Sequence, residues 1–551
     1  MARGPALAAE KSVLGILLIS AAALALFLFL TRSLQLIDRD EGRYAEIARE
    51  MLESGDWLVP RLFGVPYLEK PPLYYWLTAI AYRLVGVNEL GARLVSALAA
   101  AGGVLATGLF ARRFFGARAG LLASVILATS GLYFVLARVA ITDMLFAVAI
   151  SGALMAYFVA EVEGRSYLPF WLLAAAAMLV KGPVASVIAA LVALGHLAVN
   201  ASWRRLLAAR FWIGLALFLA LTLPWFSLVE IRLPGFLDFY VYKEHLLRAA
   251  GGEHRQGLWW YVPWLLLGFL PWTPILVAAL GPIGRRLREP SLSGMAARFT
   301  AIWAAVVLVF FSLPRGKLVP YILPMFPALA ILLADALDRS LEDPAERWLP
   351  RSFRVVAAAF AVGLIALPVA AAISPIEIPP SLVALAVALV AVAAAAVWSS
   401  AGRRDIRPIA AIAGAVALAQ CVAVLVAAPI LRRLTVQPIV EILRERLGPD
   451  DGVAIHGGYF PSLPFYLGRM PYFVFGNREL DFGVSLEGPG PWIVADMRAL
   501  RERVGARRLF VVLRTRERDL HDLLRLPAKT RLLHRGRSSS LVENEPPKGS
   551  G

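Results

Sequence analysis

One cysteine stands in 551 residues, Cys421 inside the apolar run 408–428, so a disulfide framework and a cysteine-ligated metal centre are both excluded. Lysine is nearly as scarce, with seven residues beside a large surplus of arginine. No internal repeat is evident along the chain, which argues against a transporter built from inverted halves. Also missing is a small-x-small cleavage signal between the first apolar run, about Ser12 to Leu30, and Asp38. That run therefore reads as a retained first span.

What the chain has in abundance is apolar length. Hydrophobic residues make up 59% of it, against about 45–50% in soluble domains. They fall in runs near 13–30, 91–111, 119–137, 143–160, 168–181, 183–199, 211–229, 259–281, 298–313, 318–337, 355–373, 380–399 and 408–428. These lengths predict a polytopic α-helical membrane protein of about thirteen spans. A formal net charge of +17 could serve nucleic acid, so the positions of the basic residues decide. With a cytoplasmic N-terminus, the even-numbered connections should be the basic ones. They hold Arg112, Arg113 and Arg118, then Arg165, then Arg204, Arg205 and Arg210, then Arg285, Arg286 and Arg288, then Arg339, Arg347, Arg351 and Arg354, and last Arg403, Arg404 and Arg407. Topology accounts for most of the surplus, and no nucleic-acid partner is expected.

An odd number of spans puts the segment after about Leu431 on the opposite, non-cytoplasmic side. There Val453–His456, Trp492–Ala495 and Leu509–Leu513 have strand character and alternate with helical patterns at Ile439–Leu447 and Met497–Val504, as in a small α/β unit. The expected division is a transmembrane domain over 1–430, with long non-cytoplasmic loops at 31–90 and 230–258, an α/β domain over 431–542, and a disordered tail over 543–551.

Those two loops carry the chemistry. Where the first span ends, Asp38-Arg39-Asp40-Glu41-Gly42-Arg43-Tyr44 gathers three carboxylates and two guanidinium groups, and ionisable groups at that depth are costly unless paired or functional. Tyr44–Leu52 then reads as a helix lying flat in the membrane interface, apolar on one side with Glu46, Arg49 and Glu50 opposite, ended by Gly55. Gly64-Val65-Pro66-Tyr67-Leu68-Glu69-Lys70-Pro71-Pro72 leads into a second amphipathic segment, Leu73–Leu84, the prolines stiffening the turn that carries Glu69 and Lys70. A carboxylate and an ammonium held there could bind a metal and a phosphate, or form a surface ion pair of little worth. The second loop holds Tyr242-Lys243-Glu244-His245. His245 reads either as a metal ligand partnering Glu69 or as a histidine that is merely hydrogen-bonded. Four of the seven lysines, Lys70, Lys181, Lys243 and Lys317, fall on the same face, where they could surround a phosphate or, singly, anchor at headgroups. Arg138 and Asp143 bring an opposite-charge pair there too.

At these residues the chain resembles the aminoarabinose transferases of bacterial lipid A, within the glycosyltransferase C class that includes protein O-mannosyltransferases. The resemblance runs along nearly the whole chain and is most specific at Asp40–Glu46, Gly64–Pro72, Glu244-His245 and Lys317–Pro324. It implies the glycosyltransferase C superfold with juxtamembrane helices and a C-terminal periplasmic α/β domain. The function it implies is that of a monomeric enzyme of the bacterial inner membrane, taking sugar from an undecaprenyl-phosphate-linked donor and delivering it to lipid A or another envelope acceptor. By the resemblance Asp40 and Asp143 are the catalytic acids, Arg43, Lys70 and Lys317 hold the donor phosphate, Tyr67 and Tyr321 line the cavity, and Glu69 and His245 ligate a divalent metal, zinc in the family. The family commonly has threonine where this chain has Pro320, which removes a hydroxyl and a backbone donor beside Tyr321. Two other readings stand beside this one: a mannosyl-type transferase acting on protein or another glycolipid, and a flippase for polyprenyl-phosphate lipids. Transporters place ionisable sites near the bilayer midplane, whereas these carboxylates gather at one membrane face.

Overall fold

Each of the thirteen apolar runs forms helix, because backbone polar groups in hydrocarbon must be satisfied within the segment. The computed structural model describes residues 3–200, 209–247, 255–343, 346–373, 379–474, 478–505, 507–514, 529–537 and 539–545. Among these, nine helices are long and apolar enough to cross a membrane, and two bent pairs raise the number to eleven. Helix Ala117–Thr129 turns by 66° into Gly131–Ala137, and Leu258–Gly268 turns by 108° into Thr273–Leu287. The two remaining runs of the expected thirteen are the shorter apolar helices Leu168–Lys181 and Val184–Asn200, of 14 and 17 residues. The chain is a multi-pass membrane protein.

It forms two compact units. One comprises Met1–Phe29, Ser96–Pro224 and Val241–Val426; the other comprises Leu30–Val95, Trp225–Tyr240 and Ala427–Gly551. The first loop and the C-terminal segment thus fold as one body, which sequence order conceals.

The first unit is a helix assembly whose interior is aromatic. Phe158 stacks on Phe299 at 4.6 Å between centroids, and His196 meets Phe299 edge-on at 5.3 Å. Arg138, expected to pair with Asp143, instead donates to the carbonyls of Leu26, Phe27 and Phe29 at 2.5–2.9 Å. It caps the C-terminal carbonyls of α1 (Arg3–Leu28), which have no partners within their own helix.

In the second unit, α2 (Glu41–Ser54) ends at Gly55 with φ 70°, the left-handed residue the sequence placed there. The polar side of α2 is buried. Glu46, Arg49 and Glu50 are 0%, 3% and 6% exposed. Arg49 makes a two-pronged ion pair with Glu46 at 2.6 and 2.7 Å. Glu50 accepts from the backbone N–H groups of Phe63 and Gly64 at 2.7 and 2.9 Å, which ties the short hairpin β1 (Arg61–Leu62) and β2 (Val65–Pro66) to the helix. Loss of water pushes the Glu50 carboxyl up to about 7, against the pull of those two N–H groups. Next comes α3 (Leu73–Val85) and then the start of α4 (Glu89–Phe115), which from Ser96 on belongs to the first unit. From residues 225–240, Phe239 stacks on Phe482 with ring centroids 3.7 Å apart.

The C-terminal segment builds a six-stranded sheet ordered β5-β4-β3-β6-β8-β7. Its strands are β3 (Gly452–His456), β4 (Tyr472–Val474), β5 (Ile493–Val494), β6 (Leu509–Arg514), β7 (Lys529–Arg535) and β8 (Ser539–Glu545). Strands β3 to β6 are parallel, while β8 runs antiparallel between β6 and β7. Parallel strands covered on both faces read as apolar runs, which is why β3 and β6 were legible and the polar hairpin β7–β8 was not. Glu543–Glu545, expected within a disordered tail, instead complete β8, and Glu543 pairs with Arg508 at 3.3 Å; residues 546–551 lie outside the described residues.

Gly42 shows why the acidic stretch carries a glycine. A Cβ there would sit 2.7 Å from the backbone nitrogen of Ser462, so only glycine lets α2 lie against the helix Ser462–Leu467. Gly42→Ala should destabilise this unit by about 1–3 kcal/mol, read as a lower thermal midpoint of the detergent-solubilised protein; an unchanged midpoint overturns the contact.

Candidate active site

The start of α2 and the Tyr67–Lys70 turn create one cluster in the second unit. Asp40 precedes the helix, and its carboxylate is 71% exposed. One turn on, Arg43 is 12% exposed and forks, giving one N–H to Asp40 at 3.2 Å and another to Glu479 at 2.8 Å. Its guanidinium carbon lies 5.1 Å from the ring centroid of Tyr44 and 5.7 Å from that of Tyr67, within cation–π range. The remaining Nε–H is buried and meets no acceptor among the described residues. Tyr67 donates its hydroxyl to Glu69 at 2.8 Å, and burial pushes its phenol well above the usual range, so it stays a donor. Lys70 turns its ammonium onto the Glu69 carbonyl at 2.9 Å. Glu479, on the short helix Arg478–Leu480, was missed in the sequence. It follows no pattern, and only folding carries it to a residue 436 positions away.

A second cluster lies in the first unit. Asp143, at the start of helix Thr142–Glu163, forms a short ion pair with Lys181, their side chains 14% and 10% exposed. The Lys181 ammonium stands 4.4 Å from the ring centroid of Tyr321. Asp143 thus pairs with a lysine that closes the adjacent helix. Pro320 fits in the first turn of the 3-10 helix Val319–Met325, where a backbone N–H has no helical partner to lose. Lys317 is 2% exposed and gives its ammonium to the carbonyls of Gln256 and Pro314, and burial lowers its pKa. In this structure it ties the turn together. His245 belongs to the π-helix Phe239–Leu247, but its side chain lies outside the described residues, as does that of Lys243.

Among the described residues no group of three or more His, Cys, Asp or Glu side chains is arranged to hold a metal. Glu69 offers one carboxylate, already accepting from Tyr67.

Residues 69–227 match the family described as dolichyl-phosphate-mannose-protein mannosyltransferase. A relative in Pseudomonas paraeruginosa, an undecaprenyl phosphate-alpha-4-amino-4-deoxy-L-arabinose arabinosyl transferase, is 35% identical over 313 residues, 55% of this chain and 56% of its own. A protein of the same name in Shewanella sediminis is 31% identical over 315 residues, 56% and 57% of the two chains. The alignments with these curated relatives thus span somewhat more than half their length. The crystal structure of ArnT from Cupriavidus metallidurans bound to undecaprenyl phosphate is similar over 96% of this chain and 97% of its own, with 30% identity and a TM-score of 0.82. The chain belongs to the ArnT family. The glycosyltransferase C architecture expected of such a chain is the one observed, with spanning helices and a C-terminal sheet domain. Within this ArnT-family chain the first-loop cluster is built by the second unit alone, Arg43 being held by residues from both ends of the sequence.

Proposed function

We propose that the chain is an inverting glycosyltransferase. It moves 4-amino-4-deoxy-L-arabinose from undecaprenyl phosphate to a lipid A phosphate or a related envelope acceptor. In this reading it works as a monomer at the periplasmic face of the bacterial inner membrane, with its N-terminus cytoplasmic and its C-terminal domain periplasmic. The observation that carries the reading is the likeness over 97% of a chain whose structure holds undecaprenyl phosphate.

The bond between the sugar and the lipid phosphate breaks as the acceptor oxygen attacks from the opposite face, and the electron pair leaves on the phosphate. Donors aimed at that developing charge lower the barrier. Arg43, through its uncommitted Nε–H, and Lys70 take that role, while Tyr67 fixes Glu69 behind them. An acceptor phosphate is already anionic and needs no base; a hydroxyl acceptor would pass its proton to the exposed Asp40. Asp143, paired with Lys181, takes the part of the second acid that the resemblance implies, and Lys317 holds its own turn in place.

The divalent ion that the resemblance implies belongs to the proposal: Glu69 and His245 would be its ligands, and it would order the loops that carry them. His245→Ala should then lower the zinc bound to purified protein; unchanged stoichiometry removes that ligand.

Purified protein in vesicles without an ion gradient should convert lipid A and release undecaprenyl phosphate. Donor that crosses the bilayer unconsumed would make the chain a transporter. Consumption of a polyprenyl-phosphate mannose instead would favour the mannosyl-type reading that the match at 69–227 supports.

A further inference from the structure

A cavity of about 460 Å³ opens in the second unit at the carboxyl ends of the parallel strands, bounded by Gly457 and Gly458 after β3, Val474 ending β4 and Arg514 ending β6. Open parallel sheets bind ligands at this edge, because the strand ends and the loops after them leave a crevice there. The lining here is chemically divided. Arg39 and Arg514 contribute the cations, Phe460 and Phe473 contribute aromatic surface, and Leu431 and Leu434, which end the last apolar helix, contribute an aliphatic wall. Arg39 holds φ at 74°, a left-handed conformation that a long side chain seldom adopts and that tends to persist where a site needs it. The carboxylate facing these cations, Asp38, is already occupied: it accepts from the hydroxyl and the backbone N–H of Ser462. Loss of water raises its carboxyl to about 6, against the pull of those two bonds.

We propose that this crevice is a second anion site, beside the Arg43 cluster with which its lining residue Tyr459 interacts, and that it takes the phosphate monoester headgroup of a lipid. Arg39 and Arg514 hold the phosphate, and Leu431 and Leu434 lie along the first carbons of the chain. Two guanidinium groups suit a phosphate because their planar forks match its oxygens. The aliphatic wall selects a lipid-borne phosphate over a free one. The site is independent of the transfer reaction proposed above.

The test uses the full chain in detergent, in the Arg43→Ala background, so that the other cation cluster does not contribute. Retention of dioctanoyl phosphatidic acid is measured by native mass spectrometry, beside dioctanoyl phosphatidylcholine and inorganic phosphate. Phosphatidic acid should bind, and the double substitution Arg39→Asn with Arg514→Gln should weaken it at least tenfold; asparagine tolerates the backbone at 39. Asp38→Asn should tighten binding, since it removes the carboxylate among the described lining residues. Phosphatidylcholine binding as well as phosphatidic acid overturns monoester recognition. Equal binding of inorganic phosphate overturns the role of the aliphatic wall. No binding, or binding indifferent to both arginines, overturns the site.

Discussion

Arg43→Ala should cut sugar transfer by about two to three orders of magnitude, the cost of losing one pre-aimed donor to developing charge. The geometry explains why this position outweighs its neighbours. Arg43 is 12% exposed, two of its N–H groups are committed to Asp40 and Glu479, and its Nε–H is buried with no acceptor among the described residues. In the proposed reaction a phosphate oxygen supplies that acceptor. Rates should fall in kcat more than KM rises, because the charge on the leaving phosphate grows only in the transition state. Arg43→Lys should recover little, since an ammonium cannot hold Asp40 and Glu479 and also reach a third group. Transfer measured on purified variants decides the matter. Near-normal rates in Arg43→Ala, Lys70→Ala and Asp40→Asn together would sink the assignment.

The largest stability effect is expected two residues earlier, at Glu41. Arg93, near the start of α4, gives Nε–H and Nη2–H to the two Glu41 oxygens at 2.7 Å each. Its other donors go to the carbonyls of Thr31, Leu34 and Gln35 at 2.5–3.0 Å. All five guanidinium N–H groups are thereby used, with side chains 3% and 1% exposed. Glu41 also accepts from the backbone N–H of Ile37 at 3.0 Å. Glu41→Ala leaves the arginine charged and buried without its counter-ion, and should cost about 3–5 kcal/mol. The exposed pair Arg498–Glu502, at 89% and 70% exposure, is the internal control, and Arg498→Ala should change nothing measurable. The readout is the fraction of detergent-solubilised protein that stays monodisperse on heating. Equal behaviour of the two variants would mean the buried pair contributes no more than a surface one.

These two residues also mark the limit of what was readable beforehand. The stretch Asp38–Tyr44 stands out because charge at the end of a span is expensive, and that argument needs only the sequence. It gives no means of sorting the acids. Asp40 is open to solvent, Asp38 is held by Ser462, and Glu41 is a structural counter-ion. The expected Arg138–Asp143 pair failed for the same reason: charges five residues apart suggest a partnership, but Arg138 caps the end of α1 and Asp143 faces Lys181. Glu479 was invisible because nothing local distinguishes a glutamate that will meet Arg43.

By itself, the sequence determined that this is a multi-pass helical membrane protein, that it ends in an α/β domain, and which loops hold its charge. Each of these rests on local quantities: apolar run length, the period of hydrophobic residues, and the cost of ionisable groups near lipid. Only the tertiary structure decided which segments form one body, joining the first loop to the C-terminal sheet, and which charges serve structure rather than chemistry. That division follows from burial. A buried charge must find a partner wherever the fold provides one, and partners 52 and 436 residues away leave no trace in spacing.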